Sequence, residues 1–193
     1  VVAFCAAATM AGGFCTGTFT SPFVRHYRDR IRVNGQDIPE EALCRLCEKV
    51  RSCHVSPCCS QFEITFAIGL LWFVERSCDI VFLETGLGGL LDATNIVQNP
   101  LVCVITSISY DHMDILGDTL EQIAQQKAGI IKLGCPVVFA PDNRSEVACV
   151  IAETAAQKRA PLVIPSEEDC RIISEDLTGT CLLYTSPSPR DCS

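Results

Sequence analysis

The sequence predicts an α/β domain of three layers, a parallel β-sheet with helices on both faces. Three observations carry this. Short continuous apolar runs, IVFL at Ile80–Leu83, LVCVITSI at 101–108 and PVVF at 136–139, are too short for helices and have the signature of strands buried on both sides. Segments with helical apolar spacing alternate with them, the pattern of a covered parallel sheet. The chain has 193 residues, 48% of them hydrophobic, enough to build the core of one domain or parts of two.

Taken in order, residues 1–11 are Ala-rich and apolar and predict a helix, which Gly12-Gly13 ends. Residues 14–20 read as a short strand broken by Ser21-Pro22. Residues 25–33 with Asn34-Gly35 make a charged strand or turn region ahead of a helix over 39–50, and a polar, Cys-containing loop runs on to Cys59. Between 61 and 76, Phe62, Thr65, Phe66, Gly69, Leu70 and Phe73 recur at helical spacing, giving a core-facing helix. Asp79 then leads into the strand Ile80–Leu83. Asp118 is expected to cap a helix over 119–128, with Glu121 in the capping-box position and Gly129 as its exit. Residues 143–158 are amphipathic through Val147, Val150, Ile151 and Ala155, and 162–164 is the last short strand.

The final stretch has Pro187 and Pro189 two apart and no apolar period after Tyr184, so it reads as a flexible tail. It also resembles the translation of a transposase adapter used in sequencing libraries, which divides the chain into a native part, 1–180, and a non-native tail, 181–193. The tail carries one Arg and one Asp, so the charge balance is the same without it.

Fifteen Lys and Arg against 23 Asp and Glu give a net charge of −8, which disfavours a polybasic nucleic-acid binder; fibrous and strongly disordered classes are disfavoured by the apolar content. The longest apolar stretches, 62–74 and 100–108, are too short to span a bilayer, so no membrane partner is expected. The start lacks an initiator Met and a basic leading segment, and reads as a chain entered partway through rather than a secretory signal. Cys44 and Cys47, with Cys53, His54, Cys58 and Cys59, have the donor types of a zinc site, but Cys44 and Cys47 fall at helical spacing and read as small buried hydrophobes. The chain is longer and more apolar than a disulfide scaffold needs, so its 14 Cys read as reduced thiols in a cytoplasmic setting.

In a parallel sheet the ligand site lies beyond the carboxyl ends of the strands. Ser21, Glu84 with the glycines of TGLGG, and Asp111-His112 all occupy such positions. The glycine spacing is GxGG, so a dinucleotide fingerprint is weak and a tight turn explains the glycines equally well. Carboxylate plus imidazole is chemistry for a divalent cation, with Glu84 and His112 each able to supply a ligand. Lys127 sits near a helix C-terminus, where the macrodipole favours a cation; it reads as a solvated lysine or as one turned inward.

Six ordered blocks, TSPFV at 20–24, RDRIRVNG at 28–35, QFEI at 61–64, LETGLGGLLDATN at 83–95, SISYDHMDILGDTL at 107–120 and QKAGIIKLG at 126–134, resemble the bacterial folylpolyglutamate synthase and dihydrofolate synthase family of Mur-like ligases. The resemblance covers essentially residues 1–164. It implies a P-loop-type fold, the central domain of a Mur ligase, with the Walker A loop expected immediately before Val1 and absent from this chain, which on its own is expected to be inactive. The implied activity is ATP-dependent joining of L-glutamate to dihydropteroate or to folate and folylpolyglutamate through an acyl phosphate, by a cytoplasmic enzyme of folate and one-carbon metabolism that is monomeric at full length. The resemblance implies that Ser21, Glu84 and His112 ligate magnesium, that Lys127 is carbamylated and helps hold the metal cluster, and that Glu84, His112 and Lys127 are the catalytic set. It also implies that Ser60, Gln61, Phe62, Glu63, Leu91, Asp92, Ala93 and Arg30 line the pterin substrate.

Three positions depart from the family pattern: Phe23 stands where His is usual, Thr85 where Val is usual, and Leu90 where GLGGR would put Arg. Loss of that Arg removes a fixed cationic fork near the substrate and leaves the choice between the two reactions open. Two other readings remain, a Mur-like amide ligase for a different carboxylate and a non-catalytic small-molecule-binding α/β domain.

Overall fold

A computed structural model describes residues 1–53, 59–166, 170–176 and 179–184. The chain divides into two compact units, Val1–Gln98 and Asn99–Ser193. Among the described residues, no helix is long and apolar enough to cross a membrane.

In the first unit, helix α1 (Val2–Ala11) gives way through Gly12 to strand β1 (Thr16–Phe19). A 3-10 turn at Tyr27–Arg30 leads into β2 (Ile31–Val33) and β3 (Gln36–Asp37), then α2 (Glu40–Ser52), α3 (Gln61–Glu75) and β4 (Ile80–Leu83). The sheet order is β3-β2-β1-β4. β1 and β4 are parallel, as the apolar runs predict, whereas β1–β2 and β2–β3 are antiparallel. For β2–β3 the departure has a local cause: Asn34 and Gly35 both have positive φ, the geometry of a tight hairpin turn; β2 comes back against β1 through the connection over residues 20–30. IVFL has the bounds read from the sequence but is half-buried along its length rather than fully buried, because β4 ends the strand order of its unit.

The core of this unit gathers Phe19, Ile31, Val33, Ile38, Leu46, Phe66, Ile68 and Phe73. Gly17 is where α3 comes down on β1; a Cβ there would sit 2.8 Å from the Phe73 ring. α2 buries Ala42, Leu46 and Val50, one stripe at fourfold spacing. Cys44 falls off that stripe and is exposed while Cys47 is half-buried, so only the latter approaches the buried role expected of both. His54 and Cys58 of the zinc reading lie outside the described residues.

Asp29, in the 3-10 turn, is buried. Its carboxylate accepts from the backbone N–H groups of Val24 (3.2 Å) and Arg25 (2.8 Å) and faces the Arg32 guanidinium at 3.7 Å. Burial pushes the Asp29 carboxyl up, but the backbone N–H bonds of Arg25, Val24 and His26 and the charge of Arg32 outweigh it and hold the group below the usual 3.8.

In the second unit, β5 (Cys103–Ile105), β6 (Val137–Phe139) and β7 (Leu162–Val163) are parallel and in sequence order. Between β5 and β6 come the single-turn helix α4 (Met113–Leu116) and α5 (Leu120–Ala128); α6 (Ser145–Gln157) lies between β6 and β7 and packs on α5. Ile123, Val137, Phe139, Val147 and Ile151 are fully buried. The cap of α5 differs from expectation. Thr119, not Asp118, accepts from the backbone of Gln122, and the Gln122 side chain accepts from Thr119 N–H at 3.2 Å. Starting the helix at Leu120 buries that side chain with Ile123 and Ala124, and this fixes the capping box one residue later.

A hairpin of β8 (Cys170–Asp176) and β9 (Gly179–Tyr184) follows, antiparallel, with a register shift between Ile172 and Ser174. Residues 181–184 were expected in a flexible tail; the run CLLY has strand propensity, and Tyr184, Leu183, Leu182 and Cys181 pair in turn with Cys170, Arg171, Ile172 and Ser174, a segment for which the sequence predicts no element. Residues 185–193 lie outside the described residues.

Gly17→Ala forces its new methyl against Phe73 and is expected to cost about 1–3 kcal/mol in urea unfolding. Because the folded Asp29 carboxyl lies below its unfolded value, the stability it contributes is complete above pH 3.8 and disappears as pH falls through the folded value. Asp29→Asn is therefore expected to be less stable at neutral pH and to show a shallower loss of unfolding midpoint between about pH 4 and pH 2.

Candidate active site

The first unit presents a carboxylate and a hydroxyl at the carboxyl ends of its two parallel strands. In the β1–β4 register Phe19 lies opposite Leu83, and Glu84 N–H donates to the Phe19 carbonyl at 2.9 Å. One step further, the Glu84 carboxylate accepts from Ser21 N–H at 2.9 Å, just before the cis Ser21–Pro22 peptide. The structure thus brings Ser21 and Glu84 together, both half-buried. A hydroxyl and a carboxylate are hard oxygen donors of the kind Mg2+ takes, so the pair fits that ion by chemistry.

Beyond Glu84 the chain folds around Asp92. One carboxylate oxygen accepts from Gly86 N–H and Leu87 N–H, each at 3.0 Å. The other accepts from Thr94 N–H at 2.9 Å and the Thr94 hydroxyl at 2.6 Å, capping the 3-10 turn Ala93–Ile96. Asn95 closes the loop by donating to the Leu90 carbonyl at 2.9 Å. Asp92, expected at the substrate surface, spends both oxygens on its own loop. Leu90 and Leu91 project from it, Leu91 being 90% exposed, and Ala93 is half-buried.

Ser60 and Glu63 form a capping box on α3. The Ser60 hydroxyl accepts from Glu63 N–H, and the Glu63 carboxylate accepts from Ser60 N–H and its hydroxyl, both at 2.7 Å. Those bonds, from the Ser60 backbone first and its hydroxyl second, hold the Glu63 carboxyl below its usual range. Gln61 is exposed, and Phe62 packs edge-on against Phe19 with its ring where a Cβ on Gly86 would lie, 2.7 Å from Cζ. Gly86 is therefore required by close approach, a reason the sequence could not supply.

Arg30 stands beside the same strand end, its carbonyl accepting from Thr20 N–H at 2.9 Å. Its guanidinium carbon lies 5.4 Å from the Phe23 ring and 5.7 Å from the Tyr27 ring. Arg30 Nε is buried with no hydrogen-bond partner among the described residues. Tyr27 is anchored through its hydroxyl to the Thr65 hydroxyl on α3. Thr65 is legible in the sequence only as a core-facing helix position, and Tyr27 and Asp29 are not singled out at all; nothing in RDRIR separates a buried aspartate from a solvated one.

In the second unit His112 follows β5 at the cap position of α4, with φ of 49°. It is exposed, its Nε2 3.6 Å from Asp111 Oδ2. Ser107 donates to both carboxylate oxygens of Asp142 at 3.0 Å, and Ile108 N–H to Asn143 at 2.7 Å, tying the loops after β5 and β6. Lys127 lies in the last turn of α5, half-buried. Among the described residues no three His, Cys, Asp or Glu side chains gather as a metal cluster.

The chain is 41% identical over 183 residues to the dihydrofolate synthase/folylpolyglutamate synthase of Bacillus subtilis, an alignment covering 91% of this chain and 42% of that one. Among solved structures it superposes on a complex of FPGS with AMPPCP and folate with TM-score 0.79 and 31% identity, covering 90% of this chain and 43% of the other. It superposes on E. coli FolC in complex with DHPP and ADP with TM-score 0.76 and 34% identity, covering 90% and 42%. The chain thus spans less than half the length of these relatives. The profile of the Mur ligase middle domain matches residues 59–164, more than half of the sequence, and the chain belongs to that family.

Proposed function

We propose that the protein from which this chain comes is an ATP-dependent ligase joining L-glutamate to dihydropteroate or to folate and folylpolyglutamate. The observation that carries the reading is the Ser21–Glu84 pair at the ends of β1 and β4, between the TSP and TGLGG loops, in a Mur ligase middle domain whose relatives bear those names. The reaction converts the substrate carboxylate to an acyl phosphate with release of ADP; the L-glutamate amine attacks that carbonyl and phosphate leaves. Such a step depends on positioning and charge more than on covalent help from the protein.

Ser21, Glu84, His112 and Lys127 hold Mg2+ in this reading, Lys127 as its carbamate. When bound, the metal offsets phosphate charge and aligns the transferred group. Arg30, Gln61, Phe62, Leu91 and Ala93 face the pterin, while Ser60, Glu63 and Asp92 set the shape of that surface through the bonds already described. Nucleotide and pterin are then small-molecule partners of a cytoplasmic monomer without nucleic acid or membrane.

The full-length gene product is expected to release ADP only when Mg2+, L-glutamate and either dihydropteroate or a folate are all present. Turnover on neither acceptor refutes the reading, and turnover on a different carboxylate moves the protein to another Mur-like ligase. Glu84→Gln keeps the acceptor for Ser21 N–H but loses the charge, and kcat is expected to drop about 100-fold or more while the fold is retained. Chelation with EDTA is expected to abolish turnover and excess Mg2+ to restore it.

A further inference from the structure

At the opposite end of β1 and β4 from the candidate site, two thiols face each other. Cys15 lies just before β1, Cys78 just before β4, and their sulfurs are 4.0 Å apart across 63 residues of sequence. The backbone around them is held tightly. Asp79 N–H donates to the Cys15 carbonyl at 2.8 Å, and Cys15 N–H donates to the Asp79 carboxylate at 2.8 Å. Rotation about the two Cα–Cβ bonds is the motion that carries the sulfurs toward each other from this separation.

The second unit repeats the arrangement. Cys103 opens β5, Cys135 precedes β6, and their sulfurs are 3.7 Å apart. Access distinguishes the two pairs. Cys103 and Cys135 are 5% and 6% exposed, whereas Cys15 and Cys78 are half-buried. We propose that Cys15 and Cys78 form a dithiol oxidation site whose reactant is a low-molecular-weight disulfide of the glutathione class, and that Cys103 and Cys135 are shielded from it.

The Cys15 thiolate attacks one sulfur of the reagent, forming a mixed disulfide and expelling one thiolate. Cys78 then gives its proton to solvent and attacks the Cys15 sulfur, expelling the second. Two protein thiols are oxidised by two electrons and one reagent disulfide is reduced to two thiols. Burial, with the Cys15 thiol beside it, pushes Cys78 up to about 12, which makes it the resolving rather than the attacking sulfur. The same burial disfavours a soft metal ion on these sulfurs, because that needs both anionic next to the Asp79 carboxylate, whereas the disulfide is neutral.

The test is incubation of the full chain with oxidised and reduced glutathione, alkylation of remaining thiols under native conditions, and non-reducing peptide mapping by tandem mass spectrometry. The expected result is a Cys15–Cys78 cross-link, with Cys103 and Cys135 unmodified until the protein is unfolded. The oxidised protein is expected to melt about 5 °C or more higher, reversibly with dithiothreitol, because a long loop of the unfolded chain is closed. Cys78→Ser, or Cys78→Ala should serine not be tolerated, is expected to stop at a mixed disulfide on Cys15 without that gain. Glutathione on both cysteines with no cross-link, both thiols remaining alkylatable, or a Cys103–Cys135 link forming first would each overturn the proposal.

Discussion

Opposing Phe19 to Leu83 in the parallel register of β1 and β4 decides what stands at the strand ends, because each following residue inherits the alignment. Glu84 N–H completes the ladder on the Phe19 carbonyl, and the Glu84 carboxylate accepts from the backbone that leaves β1, at Ser21. A slip of one residue would turn Glu84 to the other face of the sheet and break that bond. The register is itself held from the α3 side, where Gly17 admits Phe73 and Phe19 takes the edges of Phe62 and Phe66. Core packing and site geometry are thus one constraint, seen from two sides of a four-residue strand.

Two carboxylates extend that order into the loops. Asp29 gathers the backbone after Ser21-Pro22, and Asp92 gathers the backbone after Glu84. Each satisfies N–H groups that irregular backbone would otherwise leave unpaired. Arg30 sits where the Asp29 turn meets the end of β1, fixed by two aromatic rings and by its own carbonyl.

Much of this was legible in the sequence. IVFL gave its strand to the residue, and the rule that ligands gather beyond strand ends led directly to Ser21 and Glu84. What could not be read is mostly long-range. Capping preferences favour Asp118 as much as Thr119, and only the burial of Leu120 chooses between them. A charged string such as RDRIR predicts solvated side chains, yet the turn at Tyr27–Arg30 folds Asp29 inward. The antiparallel pairing of β2 with β3 follows from a single Asn-Gly hairpin, visible as a turn but not as a change of strand direction. The Ser60–Glu63 box was readable by the same spacing rule applied at Asp118, but those residues were assigned to the ligand surface through the family pattern instead.

The way Asp92 holds its loop separates what must stay from what is free to change. All four bonds of its carboxylate go to Gly86, Leu87 and Thr94, and none to Leu90 or Leu91, whose side chains stand in solvent. Single-codon exchanges at those two positions can therefore alter what the turn offers a visiting molecule while its framework stays standing. Evolution has a dial here that it can turn without retooling the machine.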